Sequence, residues 1–402
     1  TVGHDDNIFL NGLAQQALQK EIARLNILPP NLCSFQKGKG CSDATIVDNV
    51  TKEIALQDGT YYFAEIDDDA EKMFDRLYLE LQLALLLLAG TGNQGFSEWQ
   101  SSNMYKRTNR VITDVFTAVI DYICGLPQGS GFSVEIANLY AWFLLLWWQM
   151  DPIQLDGIIT SFDHPRHGFP LTANGITKYI SSLAYVDDAR KFVAEKCTNI
   201  TVSDFLQLVH GYCDLLADLS LVIKMGRNPS KCTVRLYNIP EDIDIAPFKS
   251  IAWSYEHGSP IAATIETITV RRDALGNLIK YDMPNEISCK TPQHIQQLLK
   301  PIKYLGVSKN MWQESTQGKE KIIKKLHSRL HLTANKTHSI QEMRITHNMI
   351  TTQVAIYSPN SIPMTISECN EIDKKKQQAI DNYIQQVASK IVGQAGLALI
   401  FF

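Results

Sequence analysis

Two short acidic runs constrain this chain more than any other feature. "FAEIDDDAEKMFDRL" (63–77) sets Asp67, Asp68 and Asp69 at the end of an apolar strand, and "AYVDDAR" (184–190) sets Asp187 and Asp188 directly behind an aromatic and a valine. An isolated Asp pair is by default a turn whose carboxylates face water. Like charges held a few ångströms apart repel unless a cation or a proton lies among them, so the alternative is a set of metal ligands. A two-ion site for phosphoryl chemistry holds its ions about 3.5–4 Å apart and needs a further carboxylate from elsewhere in the chain. The 67–69 run supplies one, at a strand end where a side chain reaches a cleft. The acids alone do not say which of the three it is.

With 402 residues, 45% hydrophobic and 20% charged, the chain can bury a large core in more than one lobe. Its apolar runs, Leu81 to Leu88 and Leu139 to Trp148, fall far short of the roughly 20 residues that span a bilayer, so both read as buried helices and no membrane partner is expected. A net charge of −4 excludes coating of nucleic acid by bulk electrostatics but allows a locally basic channel. The 8 cysteines form no zinc-spaced cluster, and no signal peptide is visible. An intracellular protein, cytoplasmic or nuclear and not secreted, is expected. The chain opens without an initiator Met, which marks it as an expected fragment.

Helical spacing covers 8–25, and a second helix follows the Pro/Gly-punctuated loop near 30–40. "TYYFAEI" reads as a strand, Glu71 to Leu88 as a helix, and 91–110 as a loop with a basic patch at Lys106, Arg107 and Arg110. "GLPQGSGFS" leads a long apolar helix from Ser133 to Met150. Strand, Asp-Asp turn and strand follow, then a helix to about Leu221 and hairpins to Lys303, one turning at Gly276-Asn277. Past Tyr304 the pattern is helical and basic, with Lys319, Lys321, Lys324, Lys325, Arg329, Lys336 and Arg344 interleaved with Leu and Ile. A solvated helix face is the default for such a run; beside a phosphoryl-transfer site it is a candidate contact for a nucleic-acid duplex backbone.

These segments together resemble the reverse transcriptases. "DAEKMFD" (69–75) is similar to their first palm motif, an Asp followed five residues on by an aromatic, and so puts Asp69 in register. "GLPQGSGFSVEIANLY" (125–140) resembles their Pro-Gln-Gly motif with its helix, and "YVDD" (185–188) their Asp-Asp turn. "GRNPSKC" (226–232) resembles the Asn-x-x-Lys segment, and "KYLGV" (303–307) the grip hairpin. Upstream, "ARLNILPPNLCSFQKGKGCSD" is similar to finger elements of non-LTR, LINE-like retrotransposon enzymes. Each motif alone is weak; their joint order is specific, and it covers nearly the whole chain.

The resemblance implies an α+β right-hand polymerase with an antiparallel palm sheet. Residues 1–60 would be partial fingers, 61–305 the palm with a fingers insertion at about 90–120, and 306–402 a helical thumb. The implied activity is RNA-directed DNA polymerisation on an RNA template, with a DNA or RNA primer and dNTPs. Asp69, Asp187 and Asp188 would hold two Mg²⁺ ions, with Mn²⁺ as a substitute and Asp188 in the lesser role; nothing in the set offers the soft donors zinc prefers. Lys231 is the implied general acid for pyrophosphate. Phe74 is the implied steric gate against a ribose hydroxyl, with Ala70 beside it, while Gln128, Gly129 and Asn138 complete the nucleotide site. Gly125, Pro127, Tyr185, Tyr304, Leu305, Gly306, Lys324, Lys325 and Arg329 would contact primer and template.

Some features depart from the family. Its upstream Arg-Pro-Ile segment has no match, and Lys37 and Lys39 do not replace it. The triple aspartate is unusual, and Met73 stands where Ala is common. No endonuclease constellation accompanies the polymerase motifs, so integration would need a further domain or partner. A catalytically silent RNA-binding remnant and a group II intron maturase relative are the alternatives.

Overall fold

The structure is a computed structural model. It describes residues 2–34, 36, 38–90, 108–112, 117–121, 125–126, 131–148, 168–228, 231–240, 243, 252–256, 259–262, 264–268, 302–305, 307–309, 316–335, 365–375, 377–378, 381–382 and 385. The chain divides into two units, Thr1–Asn285 and Glu286–Phe402.

Aromatic and β-branched content drives the central strand β1 (Tyr61–Asp69). It pairs antiparallel with β7 (Asp188–Lys196) on one side and β8 (Thr233–Tyr237) on the other. β6 (Ser182–Tyr185) pairs antiparallel with β7, and β11 (Thr264–Ile268) closes the far edge parallel to β8. The sheet order is β11-β8-β1-β7-β6.

Alternation along β1 gives the sheet two different faces. Ala64 and Ile66 join the main apolar cluster, with Val193, Val234 and Leu236 from the neighbouring strands. That cluster includes helix α5 (Gly131–Trp148) and helix α6 (Val202–Val222), through Ile136, Tyr140, Leu144, Phe205, Cys213 and Leu216. α5 is apolar on nearly every side and buried accordingly. On the opposite face Phe63 meets the rings of Phe169, Phe192 and Tyr237 at centroid distances of 5.5, 5.9 and 5.1 Å.

Helix α1 (Val2–Leu25) and helix α2 (Cys41–Gln57) agree with the helical spacing read from the sequence. Asp43 starts α2 by accepting the Gly40 N–H at 2.7 Å, the reach-back half of a capping box. The single helix expected from Glu71 to Leu88 is broken into α3 (Met73–Arg76) and α4 (Leu79–Leu88). At the break Lys72 is left-handed and Leu77 is extended, and the Leu77 carbonyl accepts the Gly125 N–H from far along the chain at 2.8 Å. α4 is only half buried, because Leu87 and Leu88 are 61% and 56% exposed.

Two hairpins were not anticipated. β2 (Thr108–Ile112) pairs with β3 (Thr117–Asp121) where a loop is expected to run to 110. β4 (Phe169–Ala173) pairs with β5 (Ile176–Ile180) across Asn174 and Gly175, both at positive φ (52° and 76°). Asn-Gly at such a turn is the strongest short hairpin signal a sequence carries. Between β8 and β11, β9 (Ala252–Glu256) pairs with β10 (Ser259–Ala262), while Gly276-Asn277, Lys106 and Arg107 lie outside the described residues.

In the second unit β12 (Ile302–Tyr304) and β13 (Val307–Lys309) form a hairpin with Leu305 at φ 46°. Helix α7 (Thr316–Asn335) buries Leu326 and exposes Lys321, Lys324 and Lys325. Its Lys319 meets Glu368 of the 366–375 helical stretch at 3.2 Å. Lys336 and Arg344 lie outside the described residues. Among the described residues no helix is long and apolar enough to cross a membrane.

Candidate active site

The β1–β7 ladder ends with Asp69 directly opposite Asp188. Partners across an antiparallel ladder lie about 4.5–5.5 Å apart at Cα, so the two acidic runs meet. Val186 and Asp187 form the tight connection between Tyr185 and Asp188, themselves cross-strand partners. Val186 sits at φ 59°, a conformation that costs a β-branched residue on the order of 1–3 kcal/mol. Packing holds it there: Val186 is buried, and the segment after α1 pins the hairpin from outside. Cys33 N–H donates to the Ala184 carbonyl at 2.9 Å, Ala184 N–H to Asn31 at 3.1 Å, and Asn31 Nδ2 to Ser182 Oγ at 2.9 Å.

Burial, with Asp187 and Asp69 adding repulsion, pushes the Asp188 carboxyl up to about 7. Asp187 moves up as well, chiefly by burial and then by Asp69. Lys231 answers this charge. Its Nζ lies 2.7 Å from Asp69 Oδ2, and the hydrogen bond raises the lysine above its ordinary value.

The other two aspartates of the run are neutralised from within. Asp67 receives Arg190 Nε at 2.5 Å and also pairs with Arg235. Arg190 continues to Asp48 at 2.6 Å and Glu65 at 3.0 Å, and Lys52 joins those two carboxylates at 3.0 and 3.2 Å. Tyr237 donates its hydroxyl to Glu65 at 2.9 Å; the surrounding cations hold Glu65 well below the usual carboxylate range against its burial. Asp68, on the other face, forms a close ion pair with Arg227 Nε at 2.8 Å, and Arg227 reaches the Tyr140 hydroxyl at 3.1 Å. Burial still lifts the Asp68 carboxyl to about 6. The strand therefore sorts the three acids by direction, and Asp69 is the one that faces Asp188. Sequence reasoning missed these arginines; Glu65 and Asp67, two apart on one strand face, were the signal that cations must come from neighbouring strands.

Ala70 is buried and bridges to Arg227, the Glu71 N–H donating to the Gly226 carbonyl at 2.9 Å. Phe74 is half-buried on α3, and its carbonyl accepts the Leu126 N–H at 2.5 Å. Gly125, at φ 94°, is fastened to the same short helix and accepts from Gln82 Nε2 at 3.2 Å. The loop 125–126 and the Phe74 helix are thus one piece. Asn138 is buried; its Oδ1 accepts from Ser34 at 2.8 Å, beside a cavity of about 440 Å³ also lined by Gln19, Gln36 and Glu135. Tyr185 is half-buried, its hydroxyl against Cys41 and raised by burial and then by that contact. Tyr304 is buried and Leu305 half-buried in the second unit's hairpin, and Lys324 and Lys325 are exposed on α7. Pro127, Gln128, Gly129, Gly306, Lys37 and the side chain of Arg329 lie outside the described residues.

Asp69, Asp187 and Asp188 offer only hard oxygen donors, which suits Mg²⁺ or Mn²⁺. Their crowding is the electrostatic condition a divalent cation relieves. Yet among the described residues no group of three His, Cys, Asp or Glu side chains is drawn together as a ready-made cage. The donor set fits such an ion in chemistry, while Asp69 is engaged by Lys231.

No protein-family model matches the chain, and no curated protein matches it. Among solved structures, the chain is similar to a telomerase from Candida albicans, solved in complex with a fragment of telomeric RNA. The identity is 10% and the TM-score 0.40; the alignment covers 93% of this chain and 50% of the telomerase chain.

Proposed function

We propose that the chain is an RNA-directed DNA polymerase, a nucleotidyltransferase of reverse-transcriptase type with the motif order of non-LTR retrotransposon enzymes. The observation that carries this reading is Asp69 opposite Asp188 at the end of one ladder, with Asp187 in the strained turn between. Those three carboxylates would hold two Mg²⁺ ions, Mn²⁺ substituting, which supply charge to acidify a primer hydroxyl and neutralise a triphosphate. The chain's own residues do the rest. Lys231 brings an ammonium to the edge of the acidic site, where it could protonate leaving pyrophosphate. Phe74, fixed to the 125–126 loop, would close the sugar side of the nucleotide and favour dNTPs. Gln128, Gly129 and Asn138 would line that side too, while Tyr185, Tyr304, Leu305, Gly306 and the exposed α7 lysines would meet primer and RNA template.

The test is extension of a DNA primer on an RNA template with dNTPs and Mg²⁺. Wild type should extend, and Asp187→Asn should reduce extension to background. Undiminished extension by Asp187→Asn removes the assignment.

One observation favours a second reading, a catalytically silent RNA-binding module. The Lys231–Asp69 pair satisfies the charge that a metal would otherwise meet. On that reading the chain binds template–primer duplex and extends nothing with either Mg²⁺ or Mn²⁺.

A further inference from the structure

Asp67 and Asp68 are each matched to a buried arginine, whereas Asp69 is matched to Lys231, whose side chain is 61% exposed. The difference is one of reversibility. A buried guanidinium cannot leave without stranding a charge, but an exposed ammonium on a flexible stem is readily rehydrated. Lys231 is nevertheless delivered to Asp69 by design of the backbone. The Asn228 N–H donates to the Asp69 carbonyl at 3.0 Å, and the Lys231 and Cys232 N–H groups both return to the Asn228 carbonyl at 3.0 Å. Cys232 Sγ lies 3.5 Å from the Asp69 nitrogen. The turn that carries the ammonium is thus anchored to the main chain of the residue whose carboxylate it grips.

We infer that Lys231 is an exchangeable internal counterion: it holds Asp69 when no divalent cation is bound and is displaced when one binds. The inference rests on the reading of Asp69, Asp187 and Asp188 as cation ligands. It makes Lys231 a positioning residue that sets how much cation the site requires, apart from any proton it delivers. Two consequences follow from the ion pair. Removing the ammonium should tighten divalent binding, and binding should free the amine.

The experiment titrates the protein, without nucleotide, with Mn²⁺ and reads free Mn²⁺ by electron paramagnetic resonance. Lys231→Met should bind on the order of fivefold more tightly than wild type, the worth of a partly exposed ion pair. Lys231→Arg, which keeps the charge, should bind no more tightly than wild type. In wild type, labelling of Lys231 by an amine-reactive reagent, followed by mass spectrometry, should rise with Mn²⁺. Equal or weaker Mn²⁺ binding by Lys231→Met overturns the inference, as does labelling indifferent to the ion. Asp69→Asn separates the two levels: binding unchanged by that substitution refutes the ligand reading itself, whereas binding lost there but unaltered in Lys231→Met refutes only the counterion role.

Discussion

Asp67 and Arg190 face each other across β1 and β7, Oδ1 to Nε at 2.5 Å, on the same face as the Asp69–Asp188 pair and next to it inward. They belong to a buried set in which Asp48, Glu65 and Asp67 are balanced by Lys52, Arg190 and Arg235. This set ties α2 to the central strands and fixes the register that brings Asp69 to Asp188. Buried pairs of this kind contribute little net energy over an apolar core, but breaking one strands a charge.

Arg190→Met should therefore cost about 3–5 kcal/mol of stability, because it leaves buried carboxylates without their cation. Urea denaturation followed by circular dichroism measures it. A loss under about 1 kcal/mol, the worth of an exposed pair, would contradict the network.

Stability should also depend on Asp188. Its carboxyl sits at about 7 in the fold against an ordinary 3.8, so the folded chain keeps a proton that the unfolded chain has released. Folding stability consequently falls as pH rises from about 4 to about 7, and the deficit persists above that range. Asp188→Asn should flatten this slope and gain about 1–2 kcal/mol at alkaline pH in chelator, after allowance for partial solvent screening. Denaturation at acidic and alkaline pH compares the two proteins; parallel pH profiles would contradict the shift.

Phe74→Ala should weaken sugar discrimination. The ring is held by the fastening of α3 to the 125–126 loop, so truncation opens space without moving the backbone. Ribonucleotide incorporation relative to deoxynucleotide should rise by about ten- to a hundredfold, the range a packing contact supplies. Competitive primer extension reads the ratio, and an unchanged ratio places Phe74 away from the sugar.

Exposed Lys324 and Lys325 on α7 should each neutralise phosphate if this helix meets the duplex. Replacing both with Ala should lower the salt slope of RNA–DNA duplex binding by about one to two, with similar losses across sequences. Fluorescence anisotropy at several salt concentrations measures it, and an unaltered slope removes α7 from the interface.

Much of the central architecture could be read locally. The aromatic and β-branched content of "TYYFAEI" specifies β1, and the hydrophobic 139–148 run specifies a buried helix, because both signals lie within a few neighbouring residues. The break at Leu77 was not legible, since it depends on a hydrogen bond from Gly125, far along the chain. The β4–β5 hairpin is legible in Asn174-Gly175, whose signal is equally local.

The acidic site divides along the same line. The sequence by itself determined that two carboxylate runs end apolar strands, and strand alternation already put Asp67 and Asp69 on one face and Asp68 on the other. Only the tertiary structure decided which charge each would meet: Arg190 and Arg235 from flanking strands for Asp67, Arg227 for Asp68, Lys231 and Asp188 for Asp69. The reason is physical. A side chain's direction follows from its own backbone, but its electrostatic partners arrive from segments that only folding brings within reach.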